Sequence, residues 1–157
     1  MKAFDKVKIY MLFEILQRKY ISNLLLKSIV EIYSGNEINL KINNKFLVEH
    51  TINHGVRKVC PLSPTVFNIH VNEIILKWNK IYAKSITLST GTNINALFFA
   101  DGEVGTADSE ENLQREVFTL QKIAKNFGMA ISPKNSETMA FLDKTQSDVK
   151  LLWITIV

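Results

Sequence analysis

The amino-acid sequence predicts an α+β fold, an antiparallel sheet packed against helices in a single domain, 1–157. Three observations carry that expectation. Hydrophobic residues make up 46% of the 157 positions, enough to bury a core at the length of one ordinary domain. The apolar period switches repeatedly between about 3.6 and two along the chain. The period-two segments are joined in pairs by turn chemistry, which makes hairpins and therefore antiparallel strands.

The first periodic segment, from Leu12 to Tyr33, places Leu12, Ile15, Leu16, Leu24, Leu25, Ile29 and Ile32 near helical spacing. Tyr20-Ile21-Ser22-Asn23 divides it into two helices, because Ser22 and Asn23 both have capping side chains. After Ser34-Gly35-Asn36, Ile38, Leu40 and Ile42 alternate with polar residues, Asn43-Asn44 supplies a turn, and Phe46 and Val48 resume the alternation: a hairpin. CPLSPTVFNIHVNEIILKWNKIY opens with two prolines suited to a first helical turn and shows Phe67, Val71, Ile74, Ile75 and Trp78 on one face. From Asn95 to Thr106 two short strands meet at Asp101-Gly102. DSEENLQREVFTLQKIAKNFG reads as a helix with Asp108 and Glu111 as a capping box, a Leu113, Val117, Leu120, Ile123, Phe127 stripe, and Gly128 as the stop. Glu137–Leu142 and Val149–Val157 are the closing strands, giving the order αα-ββ-α-ββ-α-ββ. There is no repeat and no low-complexity linker.

The formal net charge is +4, with a pI near 9.1, a mildly basic balance compatible with a polyanion partner. Cys60 is the single cysteine, so an internal disulfide and cysteine-based zinc spacing are excluded, and a reducing intracellular setting is expected. The start, MKAFDKVKIYMLFEIL, is interrupted by charges and lacks a signal-peptide core. No apolar run reaches the ~18 residues of a membrane span, so a soluble protein is expected. His50, His54 and His70 are scattered without a matching acid or cysteine set, and Ser63 has no evident histidine–carboxylate relay. Lys2, Lys6, Lys8, Arg18 and Lys19 are read as the solvent face of the first helix rather than as phosphate contacts.

Four strings in order carry more. KAFDKV, GVRKVCPLSPTVFNIHVNEI, LFFADGEV and FGMAISPKNSETMAF together resemble the palm of a reverse transcriptase, most closely the non-LTR retrotransposon type of the LINE and Jockey elements. The resemblance runs from residue 2 to about residue 156. It implies a polymerase palm, RNA-templated DNA synthesis on a DNA primer, and two Mg²⁺ ions held by three carboxylates. Asp101 matches the first aspartate of the family's F-A-D-D turn, which makes it the implied catalytic and metal-binding residue. Phe4 matches the aromatic that excludes a ribose 2′-hydroxyl, and Arg57 and Lys58 fall where the family lines its nucleotide and template cleft.

The departures bear on activity. Gly102 stands where the family has its second turn carboxylate. The first-strand aspartate lies five residues before the aromatic in the family, a place that would precede Met1. Asp5 is expected to be a helix-entry cap and Glu103 an exposed, solvated glutamate, so neither restores the ligand set. Val59 replaces a glycine of the R-Q-G string, Asn135-Ser136-Glu137 replaces a K-T-K-like string, and Trp153 replaces the glycine of a Y-L-G strand. The expectation is a partial reverse transcriptase domain, lacking most of the fingers and thumb and without polymerase activity, Mg²⁺ being unproductive at a vestigial Asp101. The alternative reading is a non-catalytic remnant that binds RNA–DNA hybrids, and a subunit completed in trans ranks behind both.

Overall fold

The computed structural model describes residues 3–43, 45–57, 60–81, 86–87, 90–91, 93–94, 96–99, 102–141 and 149–155. It is α+β, as the periodicity predicts, and divides into two compact units, Phe4–His70 and Val71–Val157 with Met1–Ala3.

A 3-10 turn, Ala3–Lys6, whose residues from Phe4 on belong to the first unit, leads into α1, Ile9–Gln17. Asp5 is not the cap expected of it: the residue before α1 is Lys8, and no side chain caps that end. Instead the Asp5 backbone lies under Gly55, where a Cβ would sit 3.3 Å from the Asp5 Cα, and Gly55 has φ +87. Close approach and positive φ together leave room only for glycine there. Helix α2, Asn23–Tyr33, begins as expected, with the Ser22 side chain accepting from the Leu25 N–H. Leu12, Ile15, Leu16, Ile29 and Tyr33 are buried, the inward faces of the two short helices, and Val7 ahead of them is buried as well. The hairpin pairs β1, Glu37–Ile42, with β2, Lys45–Thr51, antiparallel, and Asn43 takes φ 49, a left-handed conformation asparagine tolerates. Asn44 and the Lys58-Val59 step lie outside the described residues.

Helix α3, Ser63–Ile81, starts in the first unit and continues into the second. Its predicted face is correct at Phe67, Val71, Ile74 and Trp78, all buried. In the second unit a strand pair absent from the sequence reading, β3 Ile86–Thr87 with β4 Asn93–Ile94, precedes the main sheet. That sheet has the order β5-β6-β8-β7, from β5 Ala96–Phe99, β6 Gly102–Ala107, β7 Glu137–Phe141 and β8 Val149–Thr155, all neighbours antiparallel. Helix α4, Glu110–Asn126, packs on β6 and β8. Its cap is Ser109, one residue later than predicted: Ser109 is extended, and its side chain accepts from the Asn112 N–H. Asp108 takes the Asn112 side-chain amide instead, and Glu111 pairs with Arg115 one turn on.

Candidate functional site

The residues expected to bind substrate belong to the unit Phe4–His70. Phe4 is half-buried, and its ring stacks on that of Phe67 with centroids 4.3 Å apart and planes 11° from parallel. Arg57 is exposed at its tip but fixed at both ends. Its guanidinium donates through Nη2 to Asn36 Oδ1. Its carbonyl accepts from Ser63 Oγ, and because that hydroxyl proton is used, the Tyr33 phenol donates to Ser63 Oγ at 3.0 Å. Ser63 is therefore a buried strut between α2 and the segment ahead of α3, which accounts for it without any nucleophilic role. Around these groups Asp5, Tyr33, Asn36, His54 and Arg57 share the lining of a cavity of about 540 Å³. Lys58, the third expected contact, lies outside the described residues.

The expected acid turn belongs to the other unit. Asp101 lies outside the described residues, between β5 and β6. Gly102 is buried and opens β6 opposite Phe99. Glu103 is not the solvated glutamate expected: it is 1% exposed, and so is Glu116 of α4. In a strand Glu103 and Gly105 share a face, and a Cβ added to Gly105 would lie 2.6 Å from Glu116 Oε1, so that face is the one under α4. Neither carboxyl has a hydrogen-bond partner among the described residues. Burial, and then the charge of Glu116, push Glu103 up to about 8. Burial alone raises Glu116 to about 8. Both are therefore biased toward the protonated form, because a buried charge without a partner is costly.

A protein-family model described as reverse transcriptase (RNA-dependent DNA polymerase) matches residues 1–156. The chain belongs to the reverse transcriptase family. A curated relative, the retrovirus-related Pol polyprotein from type-1 retrotransposable element R2 of Nasonia vitripennis, is 26% identical over 141 residues. The matched region is 90% of this chain and 14% of that polyprotein, so the chain spans about a seventh of the relative's length.

Reverse transcriptases generally use Mg²⁺, a hard cation that takes oxygen ligands in octahedral geometry. Asp101, the acid expected to hold it, lies outside the described residues. Gly102 contributes no side chain, and the nearest following acid, Glu103, is buried on the face of β6 under α4. Among the described residues no three histidine, cysteine or acidic side chains converge as a metal site. No helix among them is long and apolar enough to cross a membrane.

Two features escaped the sequence reading. Glu116 lies on the buried stripe of α4, since 113, 116, 120 and 123 follow the i, i+3, i+4 rule; the signal was present, but a glutamate is not counted as apolar. The network of Tyr33, Asn36 and Ser63 around Arg57 links positions up to 30 apart, and no local pattern announces such contacts.

Proposed function

We propose that this reverse transcriptase domain, of the non-LTR type, binds nucleic acid without carrying out nucleotidyl transfer. The observation that carries the reading is the placement of Glu103. With Gly102 in the second turn position, Glu103 is the adjacent acid available to join Asp101, and its carboxyl faces Glu116 instead. A turn that offers Asp101 beside a glycine holds Mg²⁺ more weakly than one with two adjacent carboxylates, because the ion keeps its waters unless several carboxylates converge on it. Asp101 is then a vestigial ligand, and Phe4 keeps the shape of a sugar-selecting aromatic with no transfer step to filter.

Binding is supported by different groups. The net charge of +4 and the exposed, pre-held guanidinium of Arg57, followed by Lys58, suit contacts to phosphate. The partner class is an RNA–DNA hybrid or its single-stranded template, read by backbone rather than by base sequence.

Primer extension on an RNA template, with Mg²⁺ and separately with Mn²⁺, tests the catalytic half. No templated product above background is expected, and incorporation above background overturns it. The binding half is tested by titrating a labelled RNA–DNA hybrid across salt concentrations: log K should fall linearly with log salt. Absence of binding at low salt overturns that half alone.

A further inference from the structure

We infer that Asn36 is a positioning residue for phosphate recognition: it holds the Arg57 guanidinium in its binding orientation without cancelling the charge. The inference rests on the reading that Arg57 contacts the nucleic-acid backbone. A guanidinium is a planar fork of five N–H donors, and its value at a phosphate depends on how the fork is aimed. On an exposed segment the long side chain is ordinarily ordered only when ligand arrives, which weakens binding. Here that ordering is done in advance. Asn36 Oδ1 accepts one N–H of the fork and leaves the remaining donors for a ligand.

Asn36 can hold because it is itself held. Its Nδ2 donates to the Ile32 carbonyl at 3.1 Å, in the last turn of α2, and this fixes the amide with its oxygen toward Arg57. Its own carbonyl accepts from the Ile52 N–H at 2.7 Å. The other end of Arg57 is tied to the same helix through Ser63 and Tyr33. The chemistry of the holder matters as much as its place. Asp5 and Glu37 line the same cavity, and either carboxylate would neutralise the fork, whereas the residue bonded to it is a neutral amide.

The test uses the full chain and a fluorescent RNA–DNA hybrid, measuring affinity against salt for wild type, Arg57→Ala, Asn36→Ala, Asn36→Asp and the Asn36→Ala/Arg57→Ala double variant. Arg57→Ala should weaken binding and flatten the slope of log K against log salt by about 0.9. Asn36→Ala should weaken binding by about 3- to 10-fold, the cost of ordering one long side chain, with the slope unchanged. Asn36→Asp should flatten the slope as Arg57→Ala does. In the double variant, Asn36→Ala should add nothing beyond Arg57→Ala. An Arg57→Ala variant that binds like wild type removes the underlying reading. If Arg57→Ala weakens binding but Asn36→Ala does not, the positioning role alone falls. Equal losses from Asn36→Ala in both backgrounds would also overturn it, since they mark a structural effect that does not pass through Arg57.

Discussion

Tyr20 stands at the corner between α1 and α2 with φ 53 and its side chain fully exposed. The left-handed region crowds Cβ against the following carbonyl, and this tyrosine has no packing to offset that cost. Tyr20→Gly should therefore raise the thermal midpoint by about 2–4 °C, the relief of strain exceeding the added freedom of the unfolded chain. Thermal melts of the two proteins check it; an unchanged or lower midpoint contradicts the strain. What the sequence reveals at this scale depends on range. Ser22 was legible as a cap because its bond spans three residues, and Gly128 as a stop for the same reason. The cap of α4 slipped from Asp108 to Ser109 because both side chains can accept, and backbone dihedrals decided between neighbours.

At the scale of elements, α4 shows how a helix end is built. Gly128 has φ +77, its N–H donates to the Lys125 carbonyl at 3.1 Å, and the Met129 N–H donates to the Ala124 carbonyl at 3.0 Å. These are the paired bonds of a Schellman motif, with Met129 and Ala124 both buried beside it. Gly128→Ala should cost about 1 kcal/mol, read from urea denaturation with an unchanged m-value. The strands were legible from alternation and turn residues, to within a residue or two wherever they are described. The two-residue strands β3 and β4 were not, being too short to show any period. Glu103 departs from the exposed position expected after a tight turn because β6 is regular from Gly102 onward and its covered face includes residue 103.

For the whole molecule the Glu103–Glu116 pair ties stability to pH. Both carboxyls are raised from 4.5 to about 8 in the folded chain. The unfolded chain releases these protons near the ordinary carboxylate value, while the folded chain keeps them. Folding then binds protons between about 4.5 and 8, so stability contributed by the pair is full at the acid end and declines as pH rises through that window. Unfolding midpoints measured from pH 5 to pH 9 should fall, and Glu116→Gln should flatten the profile and gain about 2 kcal/mol at the alkaline end. A wild-type profile that rises toward pH 8 contradicts the assignment. Much of the architecture was legible in the chain because helix and strand periods are local. The site was legible only as a loss at Gly102; how the neighbouring acid is disposed of depends on Glu116, on α4 rather than on the turn. Face alternation along β6 also has an evolutionary corollary. Inserting or deleting one residue at the turn would turn the strand over, bring Val104 under α4, and swing the Glu103 carboxyl out to the opposite side. A change of length at this turn would therefore alter which carboxyl the strand offers there as surely as a substitution would.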